Sequence, residues 1–235
     1  MKIDDPELVR AEYATEAGLE GRRAAYRFAE GPDPREIAFQ AVAEARPQRV
    51  LEVGCGPGEL AARIQDELGC EVIAVDLSPR MAELARGRGI EARVGDVQEL
   101  PFANGEFDVA VAAWMLFHVP ELERGLAELQ RVLRPSGRLV AVTNGLGHMR
   151  ELAELLGVER EPASFRADNG AALLRTWFPR VEARDGSGSV VFPDREAAQG
   201  FVRSTMTLAK GGELPPFDGP LRVRREVVVF VAERP

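Results

Sequence analysis

The segment Val50-Leu-Glu-Val-Gly-Cys-Gly-Pro-Gly-Glu-Leu60 limits what this chain can fold into more than any other stretch. An apolar run suited to a buried strand stops in a glycine-rich turn, and an amphipathic helix starts at once. Gly54, Gly56 and Gly58 remove side chains where the backbone must turn sharply and approach a bound molecule closely. The helix that follows directs its free N–H groups at the same space. Glu52 precedes the first glycine. A carboxylate there gives nothing to a phosphate, whereas it suits a ligand carrying an ammonium or sulfonium group.

From Val50 to Thr143 short apolar strands alternate with amphipathic helices, which predicts an α/β fold with a mostly parallel sheet and helices on both faces. Strands are read at Arg49–Val53, Glu71–Val75 ending at Asp76, Phe107–Ala113 and Gly137–Thr143, with a weaker one at Glu91–Val94. Leu60, Ile64 and Leu68, then Leu122, Leu126, Leu129 and Leu133, carry the helical period, and Gly69 and Pro135 supply stops. Beyond Thr143 the reading is helices near Met149–Leu156, Asn169–Phe178 and Asp194–Ala209, with strands at Arg180–Arg184 and Arg222–Ala232. The last contains Val227-Val-Val-Phe-Val231, apolar enough for insertion inside the sheet. Upstream, residues 7–30 and 35–46 read as two helices broken at Gly31-Pro32-Asp33-Pro34, covering the ligand side or one sheet face.

With 235 residues, 45% of them apolar, the chain can bury a full core. The expected arrangement is one domain: a helical lid over 1–47, a ligand-binding core over 48–143, and acceptor-side helices and final strands over 144–235. The longest apolar run, Val109–Phe117, is too short for a membrane span and the start of the chain is acidic, so a cytoplasmic location is expected. Cys55 and Cys70 lack ligand spacing, so neither a disulfide framework nor a metal site is expected. A net charge of −8 gives no global attraction to nucleic acid. Arg222, Arg224 and Arg225 read as a solvated strand start.

In an open parallel sheet, ligands bind outside the carboxyl ends of the strands. The unusual polar residues fall there: Glu52 and the glycines end the first strand, Asp76 the second, Asp96 follows Gly95, and Ala113 and Trp114 end the Phe107 strand. Asp76 lies 22 residues after Gly54, near the spacing at which an acid accepts both hydroxyls of a ribose.

With these motifs in this order, the chain resembles the class I S-adenosylmethionine-dependent methyltransferases. The resemblance is carried by Val50–Gly58, Val75-Asp-Leu-Ser-Pro79, Gly95-Asp-Val-Gln-Glu-Leu-Pro-Phe102, Phe107-Asp-Val through Phe117-His-Val-Pro120, Leu133-Arg-Pro-Ser-Gly-Arg-Leu139 and the closing Val228–Ala232. It implies a Rossmann-like seven-stranded sheet with the last strand antiparallel, and S-adenosyl-L-methionine as cofactor. Gly54 and Gly56 would let the backbone pass the methionine part, and Glu52 would set the electrostatics at its charged end. Asp76 would take the ribose hydroxyls, Leu77 the adenine face, Asp96 the adenine amino group, the Val97 N–H a ring nitrogen, and the Ala113 carbonyl the ammonium. Cys55, Gly58, Met81, Trp114 and His118 complete the expected cofactor set.

The segment Thr143–Leu152 resembles one in a bacterial branch that includes many small-molecule methyltransferases. It places Asn144 and His148 just past a strand end, where an acceptor is held. His148, Asn144 and Tyr13 are the catalytic candidates. His148 reads either as a base or acceptor contact or as a helix-start residue, and His118 either as a catalytic group or as a histidine bonded to backbone beside the helix opened by Pro120. Tyr13 and Arg22 fit a packing face or a lid contact; Trp114, Met115 and Phe117 fit core or pocket wall. The expected activity is methylation of a small-molecule oxygen or nitrogen nucleophile by a monomer or homodimer without nucleic-acid or membrane partners. Gly56-Pro-Gly-Glu-Leu-Ala61 also satisfies a dinucleotide pattern, which keeps a nicotinamide oxidoreductase as the competitor. A noncatalytic binder and non-methyl sulfonium chemistry also stay open. Gly95-Asp96 and the inserted-looking last strand favour the methyltransferase.

Overall fold

The alternation of apolar residues resolves into strands whose two faces fill two different cores. In the computed structural model, which describes Asp4, Val9, Tyr13 and residues 17–235, the strands are β1 (Ala29–Glu30), β2 (Arg49–Val53), β3 (Glu71–Asp76), β4 (Glu91–Val94), β5 (Phe107–Ala113), β6 (Leu133–Asn144), β7 (Arg180–Asp185), β8 (Gly188–Phe192), β9 (Leu221–Arg225) and β10 (Val227–Glu233). Seven of them form one sheet in the order β4-β3-β2-β5-β6-β10-β7. The pairs from β4 to β6 are parallel, and β10 runs antiparallel between β6 and β7. The inserted, reversed last strand read from the sequence is therefore present.

Because strand side chains alternate, Leu51 and Val53 face one core with Ile73, Phe107, Leu126 and Leu129, while Val50 faces the other with Val72, Val109 and Ile64. The same parity sends Glu52 to the Val50 face, beneath the start of helix Glu59–Leu68. That helix begins and ends at left-handed glycines, Gly58 and Gly69. Helices Pro34–Glu44 and Pro79–Gly87 each start on a proline after a side-chain cap: Asp33 accepts from the Arg35 N–H and Ser78 from the Met81 N–H. No helix among the described residues is long and apolar enough to cross a membrane.

Several boundaries differ from the sequence reading. Helix Leu122–Val132 passes directly into β6 at Leu133, so the stop comes before Pro135, which sits in the opening residues of the strand. The strand expected over Arg222–Ala232 is two strands broken at Glu226: β10 joins the main sheet, and β9 joins a three-stranded sheet of order β1-β8-β9. Neither β1 nor β8 was anticipated. The helix expected over 7–30 is seen as Ala17–Tyr26 followed by β1, and its earlier part lies outside the described residues apart from Val9 and Tyr13. Asn169–Phe178 reduces to helix Gly170–Arg175, and Asp194–Ala209 splits into Arg195–Arg203 and Met206–Ala209. The small sheet packs Val190, Phe192 and Val223 with Leu152, Phe201, Val202 and Leu208 as a third core.

Candidate functional site

The carboxyl ends of β2 through β6 open onto a cleft of ≈ 1300 Å³ whose far wall is formed by helix Ala17–Tyr26 and the segments after β6. The glycine turn builds its floor. The Gly54 and Cys55 N–H groups donate to the Val75 carbonyl at 2.8 and 3.3 Å, which ties the turn to the end of β3. Gly54 has φ +62°, and a Cβ there would lie 2.6 Å from the Met115 side chain; at Gly56, φ +53°, a Cβ would meet nothing within 4 Å and would project into open space. Gly58 differs. Its φ is +78° and a Cβ would lie 2.7 Å from that of Ala85, so this glycine lets two helices approach rather than facing the cleft. Met81 is fully buried in helix Pro79–Gly87 and also does not reach the cleft. Both depart from the cofactor set read in the sequence.

The other expected site residues line one cavity: Glu52, Gly54, Cys55, Gly56, Asp76, Leu77, Asp96, Val97, Ala113, Trp114 and His118 at the strand ends, with Tyr13, Asn144 and His148. Glu52 is 3% exposed, and its Oε2 is buried without a hydrogen-bond partner among the described residues. Burial raises its carboxyl to about 8 against the pull of an Ala61 backbone hydrogen bond, and the charge of Asp76 adds to the rise. Burial also raises Asp76, opposed by two backbone donors: the Gly56 N–H to Oδ2 and the Ser78 N–H to Oδ1, both at 2.8 Å. Asp76 thus braces the glycine turn. The Cys55 thiol is pushed up by burial, and by Glu52 and Asp76 after it, and lies 3.3 Å from the Gly56 carbonyl. That leaves it neutral and unreactive. Asp96 accepts the Gln98 N–H at 2.9 Å, and the Gln98 amide donates to both of its oxygens.

Trp114 holds a left-handed backbone, φ +55°, an uncommon conformation for a residue with a large side chain, at the mouth of the cleft. Its indole N–H donates to Asn144 Oδ1 at 3.1 Å. Tyr13 spans the opening: its carbonyl accepts from Ser78 Oγ at 2.8 Å and its hydroxyl lies 3.2 Å from His118 Nε2. His118 therefore contacts the lid segment. Arg22 lies 5.7 Å from the Tyr13 ring and donates to the Ser204 carbonyl at 2.7 Å.

His148 is fixed by a residue that the sequence reading passed over. Glu226, between β9 and β10, accepts the Gly147 N–H on Oε2 at 2.6 Å, and its carbonyl accepts the Gly145 N–H at 3.0 Å and faces His148 Nδ1 at 3.2 Å. A carbonyl only accepts, so Nδ1 carries the proton and Nε2 keeps the lone pair. Burial lowers the imidazole to about 4, and the guanidinium of Arg160 adds to this. Arg160 donates to the His148 carbonyl at 2.7 Å and to the Leu146 carbonyl at 3.3 Å. A lone acid between Arg225 and Val227 is the only sequence signal that marks Glu226; Arg160 has none.

A seven-stranded sheet with one reversed strand, ringed by helices and loaded with polar residues at the parallel strand ends, is a Rossmann-like methyltransferase fold. Residues 51–141 match the family model of a methyltransferase domain. The chain is 33% identical over 196 residues to malonyl-[acyl-carrier protein] O-methyltransferase of Geobacter sulfurreducens, covering 76% of this chain and 72% of that protein. It is 36% identical over 115 residues to demethylmenaquinone methyltransferase of Thermus thermophilus, covering 46% of this chain and 52% of that one. The chain spans about half the length of this and several other curated relatives that it matches. The structure of 1,6-didemethyltoxoflavin-N1-methyltransferase of Burkholderia thailandensis, with bound 1,6-didemethyltoxoflavin and S-adenosylhomocysteine, shares the fold with a TM-score of 0.53 at 22% identity, over 85% of this chain and 77% of that. The chain belongs to the class I S-adenosylmethionine-dependent methyltransferases.

Proposed function

We propose that the protein methylates a small-molecule nucleophile, with S-adenosylmethionine bound over the glycine turn and the acceptor held among Tyr13, Asn144 and His148. The observation that carries this reading is the orphaned Oε2 of Glu52. A buried carboxyl oxygen without a partner is costly, and ionising it there costs more; a cationic ligand in the cleft offsets that cost, whereas the phosphates of a dinucleotide would raise it. The open space at Gly56 and the strand-end placement of Asp76 and Asp96 fit the rest of such a cofactor. Relatives named for demethylmenaquinone and 1,6-didemethyltoxoflavin support a small acceptor.

When bound, the cofactor supplies a methyl group on a positively charged sulfur. The chain's own work is positioning. Glu52 and the Ala113 carbonyl hold the charged end; Asp76 takes the ribose while bracing the turn; Asp96 and the Val97 N–H read the adenine edge, with Leu77 against its face. Fixing acceptor and methyl donor in line supplies up to roughly 7–11 kcal/mol of the barrier reduction in oriented models. Tyr13 closes the opening by linking Ser78 to His118. His148 stays neutral, its Nδ1–H held by the Glu226 carbonyl, and forms part of the wall against which the acceptor rests.

Titration calorimetry tests the cofactor. Binding of S-adenosylmethionine and S-adenosylhomocysteine with no heat from NADH is the expected result, and the reverse pattern sinks the reading in favour of an oxidoreductase. Formation of S-adenosylhomocysteine during an acceptor screen then separates an enzyme from a noncatalytic binder.

A further inference from the structure

The acceptor end of the cleft combines a weak base with cationic and amide donors, and this composition selects among nucleophiles. We propose that the subsite takes an acceptor whose reacting group is an oxyanion, a carboxylate or an ionised phenol or enol, seated on Arg160 and the Asn144 amide. The inference rests on the methyltransferase reading and goes beyond it by excluding an ammonium-bearing acceptor.

Arg160 lines the cavity half-buried, and its two bonds go to backbone carbonyls, so that among the described residues its Nε–H and outer N–H groups are unspent. Among the described residues no carboxylate lies within ion-pair distance of it, and burial alone lowers its pKa. Its sequence neighbours Glu159 and Glu161 also line the cavity but are exposed, where water screens their charge. By contrast, Glu59 and Glu154, which also reach the cavity wall, are each bridged to an arginine, Arg23 and Arg150. A half-buried guanidinium without a counter-charge attracts an anion and repels an ammonium group.

Asn144 is oriented to add to this. The Trp114 indole can only donate, so the oxygen of the Asn144 amide faces it and the NH2 group is turned away from the indole. Both donors therefore suit an oxygen that carries negative charge.

The chemistry agrees. In methyl transfer the acceptor lone pair forms the new O–C bond as the C–S bond breaks, and the electron pair of that bond stays on sulfur. An acceptor that arrives as an oxyanion gives up no proton on the way, so a strong base is unnecessary. An alcohol or an ammonium group would need one, and His148, neutral and held by the Glu226 carbonyl beside Arg160, is poorly suited to that task.

The test uses the full chain saturated with S-adenosylhomocysteine and four ring-matched probes: 2-naphthoate, 4-nitro-1-naphtholate, neutral 2-naphthamide and cationic 2-naphthylmethylammonium. Calorimetry is expected to show at least one oxyanion bound ~10-fold or more tighter than the neutral and cationic probes. Arg160→Gln should erase that preference and Arg160→Lys should keep most of it, with S-adenosylhomocysteine affinity unchanged in both. A clamp role for the loop alone would shift all four probes together. If Arg160→Gln does not fold, Asn144→Asp supplies the same test, with oxyanion binding falling ~10-fold and the ammonium probe gaining. Equal or tighter binding of the ammonium probe, a preference that survives Arg160→Gln, or no binding of any probe overturns the proposal. Failure of S-adenosylhomocysteine itself to bind would instead sink the methyltransferase reading.

Discussion

Glu52 makes the empty and loaded states of the protein respond to pH in opposite ways. Its carboxyl titrates at about 8 in the folded chain against an ordinary 4.5. An acid with a raised pKa keeps its proton in the native state while the unfolded chain has already lost it. Stability is therefore full below the unfolded pKa and falls as pH rises toward 8. At ~1.4 kcal/mol per unit the loss is about 3 kcal/mol by pH 7 and about 5 kcal/mol once the folded group has ionised. A cationic ligand beside Oε2 reverses this by ionising Glu52, so binding below pH 8 releases a proton and tightens about tenfold per unit of rising pH. Thermal unfolding of the ligand-free protein and of Glu52→Gln, from pH 5.5 to 9, isolates the contribution from other titrating groups. The parent should lose roughly 7–14 °C more than the variant over that range, from ~2–4 °C per kcal/mol for a chain of this size. Calorimetry in buffers of different ionisation enthalpy reads the released proton. If Glu52→Gln keeps the parent's pH dependence and its S-adenosylmethionine affinity, the orphaned carboxylate has no part in the site and the reasoning fails.

The two glycines of the turn that differ in surroundings should separate in effect. Gly56→Ala is expected to cost only about 1–2 kcal/mol from its left-handed backbone while weakening S-adenosylhomocysteine binding more than tenfold by calorimetry. Gly58→Ala, whose Cβ would press on Ala85, should cost more in denaturant unfolding, about 2–4 kcal/mol from strain plus overpacking. The depressed pKa of His148, about 4, means the unfolded chain takes up a proton first, so stability falls as pH drops from 6.5 toward 4. The loss is up to about 3 kcal/mol, and His148→Gln should flatten it in unfolding curves at pH 7 and 4.5. Turnover should show no inflection near pH 6.5, and a His148→Ala variant with full turnover at every pH would remove His148 from the reaction. Trp114→Phe removes the donor that orients Asn144 and should raise acceptor KM with the cofactor Kd unchanged, measured by steady-state kinetics and calorimetry.

The sheet and the residues that line the cleft at its strand ends were legible because parity and strand ends are local properties. Alternation of Val50, Leu51, Glu52 and Val53 already assigns each to a face, and the acids fall where parallel strands stop. Gly58 and Met81 show the limit. A glycine needed for helix packing and one needed for ligand approach look alike until Ala85 is seen beside the first. Likewise, the only mark of the break after Arg222 is the charged run Arg224-Arg225-Glu226, and which sheet each half joins is set by partner strands far away in sequence. The end of the cleft after β6 was half legible: Asn144, His148 and Tyr13 reach the cleft, but Glu226 and Arg160 bond the His148 segment from 78 and 12 residues away from His148. Such contacts follow from tertiary structure and leave no spacing to read.

The break at Glu226 sets a limit on chain length. On one side of it Val223 belongs to the core of the small sheet. On the other, Val227, Val229 and Val231 fill one core of the main sheet, and Phe230 and Ala232 fill the other. A residue inserted or deleted at this point would turn every β10 side chain to the opposite face and carry the backbone carbonyl at position 226 away from the imidazole. Position 226 can therefore change its side chain, at a cost to the loop it holds, but not its place in the count. Two sheets, three cores and the orientation of one histidine are all phased by the same peptide unit.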